Sequence, residues 1–119
     1  MHYTVEHKDN IVIFEIKNKT VESNVSAELK AKMLIIAQPD IDALIINMSA
    51  VEAIDSSGLG ALLLANRQLS EHAIPIVLVG VREFVRSLMS MTKIDEVFDF
   101  FDTVDEAIAA IEEEYEEEE

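Results

Sequence analysis

The stretch that decides the fold is Asp55-Ser56-Ser57-Gly58-Leu59-Gly60, which stands between a strand pattern and a helix pattern. Upstream, the run Ala43-Leu44-Ile45-Ile46-Asn47-Met48 is typical of a strand that is buried on both faces. Downstream, leucines recur at helical spacing at Leu59, Leu62, Leu63 and Leu69. The hexapeptide is therefore predicted to be a turn that leads into a helix, with its serines at the positive end of the helix dipole.

A serine in this place has two interpretations. As a plain helix start, the segment is well composed, because Asp and Ser cap helices and Gly permits turns. As a modification site, it would hold a phosphate near free backbone N–H groups and add roughly two negative charges to an exposed corner. A cap alone does not require one Asp, two Ser and two Gly together. The segment is therefore also a candidate charge switch.

The composition indicates one small domain without cysteine chemistry. The chain has 119 residues, of which 50% are hydrophobic, and this is enough for one core and too little for two. We expect a single domain over residues 1–111, followed by an acidic tail over residues 112–119 that continues the last helix. The absence of cysteine excludes disulfides, thiolate zinc sites and a cysteine nucleophile.

The charge of the chain argues against nucleic acid as a partner. Its formal net charge is −15, which repels phosphate backbones, and seven of the acidic residues lie within positions 112–119. We interpret this terminal run as a solvated helix end. No basic segment followed by an apolar one opens the chain, and no apolar run approaches the roughly 20 residues of a membrane helix. We expect a cytoplasmic protein without membrane insertion.

The first part of the chain predicts a hairpin and a helix. Alternation through Tyr3, Val5 and His7 leads to a turn over residues 8–10, and the chain returns over residues 11–16. Ser23 and Asn24 are candidate N-caps of the next helix. One face of that helix carries Val25, Leu29, Met33 and Ile36.

The second part alternates strands with helices. A strand is predicted over residues 76–79, and the spacing of Phe84, Val85, Leu88 and Met89 predicts a third helix. A short strand is predicted over residues 97–101, and Thr103 is a candidate N-cap of the last helix. The buried stripe of this helix is predicted to be Val104, Ile108, Ile111 and Tyr115. The resulting order, β-β-α-β-α-β-α-β-α, predicts an α/β fold: a mixed, mainly parallel sheet with an antiparallel N-terminal hairpin and about four helices.

The residues do not support an enzyme. The glycines of the central motif both follow Ser57, so the Gly-x-Ser-x-Gly elbow of serine hydrolases is absent. No phosphate-loop spacing, calcium-loop spacing or His-x-x-x-His pair is present. A receiver domain would need an acidic pocket of strand-end aspartates, and none accompanies the late Lys93. We therefore predict no catalysis, no metal and no cofactor.

The chain resembles the STAS domains, specifically the small single-domain anti-sigma-factor antagonists of bacteria. The residues that carry the resemblance are 55–60, the preceding strand over residues 44–49 and the following Ala61-Leu62-Leu63. The resemblance implies that Ser57 is the phosphoacceptor and that the serine kinase is the anti-sigma factor itself. It further implies that the unphosphorylated protein binds this kinase and releases a sigma factor. It also implies that a PP2C-type phosphatase restores the active form.

The same resemblance implies a partner-binding surface, which consists of Glu22, Ser23, Asn24, Asp55, Ser56, Gly58, Leu59 and Gly60. Family members often carry Gly-x-Leu-Asp before the first helix, whereas this chain has Lys19-Thr20-Val21-Glu22, which keeps the acidic charge on a longer side chain. An alternative is a constitutive scaffold subunit of a larger assembly, such as a lipid-transport or stress-sensing complex. In that case Ser57 serves only the helix start.

Overall fold

A computed structural model describes the backbone of residues 1–118 and the side chains of residues 1–114. Within these described residues, seven strands are formed: β1 (Tyr3–Lys8), β2 (Ile11–Ile16), β3 (Thr20–Val21), β4 (Ala43–Asn47), β5 (Ala53–Ile54), β6 (Ile76–Val79) and β7 (Asp99–Phe101). The helices are α1 (Ser23–Ile36), α2 (Ser56–Ser70), α3 (Glu83–Met91) and α4 (Val104–Glu118). The α/β class and the four helices confirm the prediction.

The main sheet has five strands in the order β1-β2-β4-β6-β7. Strands β1 and β2 form the predicted antiparallel hairpin, with Tyr3 opposite Ile16 and Lys8 opposite Ile11. The turn between them carries Asp9 at φ 56°, a left-handed conformation that Asp tolerates. All other neighbours in this sheet pair in parallel. Strand β6 is buried along its whole length, as its unbroken apolar run predicts.

The sheet is covered on both faces. The larger core cluster joins one face of the sheet to α1, α2 and α3, through buried residues such as Leu29, Leu62 and Met89. The smaller cluster joins the other face to α4, where Ile108 and Ile111 pack with residues of the central strands. The predicted stripes of α1, α2 and α4 therefore point into the core. Tyr115, which we assigned to the α4 stripe, lies outside the described side chains.

A second, two-stranded sheet was not predicted. Strands β3 and β5 pair in parallel, with Thr20 opposite Ala53 and Val21 opposite Ile54. The sequence analysis assigns no strand to residues 49–54, because a two-residue strand has no periodicity that a sequence pattern can show. Val21 and Ile54 are buried, and their burial stabilises the pairing. This small sheet sets the first turns of α1 and α2 beside each other.

Two boundaries differ from the prediction. Neither Ser23 nor Asn24 caps α1: the helix begins at Ser23, which has φ 48°, and the N-cap position is Glu22, whose side chain makes no capping bond. The strand predicted over residues 97–101 is shorter, because a 3₁₀ turn at Ile94–Glu96 occupies the approach and only Asp99–Phe101 pairs with β6. The cap of α4 is confirmed, since the Glu106 N–H donates to Thr103 Oγ1 at 3.1 Å.

Candidate functional site

The site is built around the carboxylate of Asp55, the N-cap residue of α2. Its Oδ1 accepts the backbone N–H of Ser57 at 3.0 Å and that of Gly58 at 3.1 Å. The Ser57 hydroxyl donates to the same oxygen, with 2.5 Å between Oγ and Oδ1. Two backbone donors of the first turn are thereby satisfied, which explains why the helix begins here. The third bond fixes the Ser57 side chain at the surface, where Ser57 is exposed.

These bonds favour the ionised form of Asp55. The hydroxyl of Ser57, followed by the Gly58 N–H, lowers the pKa of the carboxyl below its ordinary value, because each donor stabilises the carboxylate. Desolvation opposes this shift and is the weaker effect. At neutral pH the exposed Ser57 hydroxyl therefore lies directly beside a negative charge.

The same carboxylate connects the two segments that the sequence predicted as one surface. The backbone N–H of Ser23 is the last of the groups that help to lower the pKa of the Asp55 carboxyl. The backbone N–H of Asp55 donates to the Val21 carbonyl at 3.2 Å. The exposed residues at the start of α1 and the exposed residues at the start of α2 therefore form one continuous corner. Its members are Glu22, Ser23, Asn24, Ser56, Ser57 and Gly60, with Asp55 between them; we name this set the Ser57 corner.

The two glycines of the motif have different surroundings. A Cβ on Gly58 would lie 2.5 Å from Ile54 Cγ1 and 2.9 Å from the Val21 carbonyl oxygen, so the small sheet leaves no space for one. A Cβ on Gly60 would meet nothing within 4 Å. Gly58 and Leu59 are buried, and they support the corner from beneath without lying on its surface. Close packing therefore explains why position 58 is a glycine, whereas nothing in the fold requires a glycine at position 60.

The family follows from a sequence comparison. The profile of the STAS domain matches residues 2–107, which is most of the chain. The chain belongs to the STAS domain family.

Several solved structures superpose on this STAS domain. An anti-sigma-factor antagonist (STAS) domain protein from Planctomyces limnophilus has a TM-score of 0.84 at 19% identity, over 92% of this chain and 96% of that one. The phosphorylated form of SpoIIAA from Bacillus has a TM-score of 0.72 at 20% identity, over 92% and 99%. A variant of RsbS from Moorella thermoacetica has a TM-score of 0.80 at 17% identity, over 98% and 99%. At these identities the likeness establishes the fold.

One contact at the same edge of this STAS domain was missed from the sequence. The side-chain Nε of Arg82 donates to the Ser49 carbonyl at 2.9 Å, which joins the loop after β6 to the loop after β4. Gly80 lies in the loop after β6 and has φ +67°, a left-handed conformation that favours glycine. A Cβ on Gly80 would also lie 2.9 Å from Ser49 Cβ, so glycine allows this loop to pass close to Ser49. The order of the predicted strands could have indicated that these two loops are close, because loops that follow parallel strands meet at one edge of the sheet.

The described part of this STAS domain offers no metal site. Among residues 1–114, whose side chains the structure describes, no group of three or more His, Asp or Glu side chains is placed to hold a metal ion. None of the described helices is long and apolar enough to cross a membrane.

Proposed function

We propose that this STAS domain is an anti-sigma-factor antagonist whose binding is switched by phosphorylation of Ser57. The unphosphorylated chain binds an anti-sigma serine kinase and so releases a sigma factor, and a PP2C-type phosphatase reverses the modification. One observation carries the proposal. An exposed serine hydroxyl is held by an ionised carboxylate at a helix N-terminus, in the middle of a continuous polar corner.

The geometry favours Ser57 over Ser56 as the acceptor. The hydroxyl of Ser57 is oriented by its bond to Asp55, so its lone pairs point away from the carboxylate toward an incoming phosphoryl group. After phosphorylation, Oγ has no proton and cannot donate to Asp55. Roughly two negative charges then lie beside the Asp55 carboxylate.

The modification alters the surface that a partner would contact. Around Ser57, the Ser57 corner presents the small side chain of Ser56 and the bare backbone of Gly60, which allow a partner to approach closely. A phosphate adds bulk and charge at its centre, so that a partner surface fitted to the free hydroxyl meets repulsion and desolvation. A cost of a few kcal/mol corresponds to a change in affinity of about a hundredfold. The switch requires no refolding of the domain.

The proposed role needs neither catalysis nor a cofactor from this chain, and it is that of a cytoplasmic protein. We assign the domain to residues 1–111 and the acidic tail to residues 112–119. Ile111 supports this boundary, because it is the last buried residue among the described side chains, and Glu112 to Glu114 are exposed. The pair of Lys8 Nζ and Glu112 Oε1, at 3.8 Å, is exposed and adds little to stability.

A constitutive scaffold subunit is the second candidate, and the Asp55 cap supports it. Asp55 satisfies the start of α2 through backbone N–H groups, so the helix would form whether or not Ser57 is ever modified. In a scaffold, the Ser57 hydroxyl contributes one surface hydrogen bond and has no regulatory role.

Phosphorylation with purified components separates the two candidates. Each anti-sigma serine kinase of the source organism is incubated with the chain and ATP, and the intact mass of the chain is measured. We expect one kinase to add a single phosphate to the wild type and to Ser56→Ala, and none to Ser57→Ala. If Ser56→Ala loses the phosphate and Ser57→Ala still takes it up, the acceptor is Ser56 and the assignment to Ser57 is wrong. No incorporation with any kinase would favour the scaffold.

A further inference from the structure

Strand β1 leaves one edge of the main sheet open. It lies at the end of the strand order, with β2 on its inner side. The Lys17 N–H donates to the His2 carbonyl at 2.8 Å, and hydrogen-bonded pairs alternate along an antiparallel ladder. The even-numbered residues of β1 therefore bond to β2. The N–H and C=O groups of the odd-numbered residues point away from β2, and these residues are Tyr3, Val5 and His7.

The open edge of β1 is long and regular. It has six residues, whereas β7 at the opposite edge has three. Its register with β2 runs from Tyr3 to Lys8 without a bulge, and the strand contains no proline. Folded domains usually protect an edge with a short strand, a bulge, a proline or charges, because free backbone groups can pair with another strand. Of these devices β1 has only the charges of Glu6 and Lys8, which lie on the face opposite to Val5.

An apolar groove of about 300 Å³ lies beside this edge. Val5 and His7 line it from β1, and Ile35, Ile36 and Ile41 line it from the end of α1 and the loop that follows. Val5 is 36% exposed and Ile35 is 69% exposed. A strand added to β1 would place every second side chain next to Val5, on the same face as the groove. Strand addition would therefore cover apolar surface as well as satisfy backbone groups.

The charge of this region permits a second copy of the chain to approach. The chain has a net charge of −15, which opposes self-association in general. Within β1 and α1, however, the acidic Glu6 and Glu28 are outnumbered by Lys8, Lys30 and Lys32. The two elements beside the groove are therefore not acidic. Contact between copies in this region brings together less negative charge than the average of the chain implies.

An antiparallel pair of β1 strands has one favourable register. With Val5 opposite the second copy's Val5, Tyr3 lies opposite the second copy's His7, so all the outward residues exchange hydrogen bonds. Thr4 then lies opposite Glu6, and no like charges face each other directly. Sliding the strands by two residues leaves an outward residue without a strand partner. In one direction it also sets Glu6 against Glu6, which is destabilising.

We propose that two copies of this STAS domain associate through antiparallel pairing of their β1 strands, with Val5 at the twofold axis. The symmetry favours a second copy, because each chain supplies the same open edge and the same groove, and one contact uses both on both chains. The two five-stranded sheets then form one continuous sheet. No residue of the Ser57 corner lies in β1 or lines the groove. The dimer therefore presents two Ser57 corners, one on each copy.

Sedimentation equilibrium of the purified chain, at concentrations up to about 100 µM, measures the association. The test variant is Val5→Pro, which removes an outward N–H and no bond to β2, and proline is tolerated at such edge positions. The matched control is Val5→Thr, which keeps the N–H and a β-branched side chain. We expect the wild type and Val5→Thr to form a dimer with a micromolar dissociation constant, and Val5→Pro to associate at least about tenfold more weakly.

Cysteine cross-linking tests the register, because the chain has no cysteine of its own. In the Val5-centred register, Thr4 and the second copy's Glu6 form a non-hydrogen-bonded pair with Cα atoms about 4.5 Å apart, which a disulfide can span. We expect Thr4→Cys/Glu6→Cys to form a disulfide-linked dimer under mild oxidation. The control is Glu6→Cys alone, which should remain largely uncrosslinked because its partner position is Thr4.

Each outcome supports or overturns the proposal, and none depends on phosphorylation of Ser57. A wild-type chain that stays monomeric at every concentration overturns it, and so does a dimer that Val5→Pro does not weaken. Assemblies larger than a dimer would mean that unlike edges pair head to tail. Efficient cross-linking of Glu6→Cys alone would show that the register is wrong. Should circular dichroism show that Val5→Pro is unfolded, Val5→Lys decides, because it sets two like charges against each other at the axis and should abolish the dimer.

Discussion

The hydroxyl of Ser57 and the carboxylate of Asp55 share one hydrogen bond, with 2.5 Å between Oγ and Oδ1, and the same oxygen holds the first turn of α2. Phosphorylation would remove the donor of that bond and leave the acceptor charged. The structure of the helix start and the proposed switch are therefore coupled at a single oxygen atom.

Charge at position 57 should lower the affinity for the kinase. We expect Ser57→Asp to bind much more weakly than Ser57→Ala, because only the first places a negative charge in the centre of the Ser57 corner. Ser57→Ala should remain folded, since the loss of one exposed hydrogen bond costs about 1 kcal/mol. Calorimetry with the kinase measures both affinities. Equal affinities would remove the electrostatic part of the mechanism.

Asp55 should make stability dependent on pH in the acid range. Its pKa in the folded chain is lowered from the ordinary value of 3.8, chiefly by the Ser57 hydroxyl and then by the Gly58 N–H. The folded state thus binds the proton less readily than the unfolded state. The contribution of the carboxylate is complete above the unfolded pKa and is lost as the pH falls through the lower, folded pKa.

Urea unfolding of the wild type and of Asp55→Asn measures this contribution. Asparagine retains an acceptor for the helix N–H groups and loses the charge. The difference in free energy of unfolding between the two should be larger at neutral pH than below about pH 4. A difference that does not change between these conditions would contradict the assignment.

The two glycines of the motif should respond differently to alanine. Gly58→Ala pushes a Cβ against Ile54 and the Val21 carbonyl, and should destabilise the fold by about 1–3 kcal/mol. Gly60→Ala places a Cβ in open space at an exposed position of α2 and should stabilise the fold by up to about 1 kcal/mol. If Gly60 serves close approach of the kinase, the same variant should bind it more weakly. Thermal melts and calorimetry test the pair, and unchanged kinase affinity in Gly60→Ala would exclude Gly60 from the interface.

The last acidic residues should be dispensable for binding. A chain that ends after Tyr115 loses Glu116 to Glu119 and keeps the residue that we assigned to the α4 stripe. We expect it to fold and to bind the kinase with nearly unchanged affinity at physiological salt, because charges beyond a Debye length of about 8 Å are largely screened. A tenfold or greater loss of affinity would mean that the tail takes part in docking.

Local patterns were sufficient for most of the architecture. The apolar run at 43–48 and the leucines that follow it predict β4 and α2, and the structure confirms both, with Asp55 as the cap between them. The stripe of α1 is likewise confirmed, since Leu29 and Met33 are fully buried. These features depend on residues within a few positions of one another. For that reason the period of the sequence is enough to determine them.

Only the tertiary structure decided how distant segments meet. The pairing of Val21 with Ile54 and the hydrogen bond from the Asp55 N–H to the Val21 carbonyl join segments that are far apart in the chain. The free space around Gly60 likewise depends on where other elements lie. Phe84 is a further case, because the pattern that predicted α3 included it beside Val85, and the fold buries Val85 but leaves Phe84 exposed. The spacing of apolar residues indicates that a helix has an apolar side. How much of that side is covered depends on the sheet and the neighbouring helices, whose positions the local sequence does not contain.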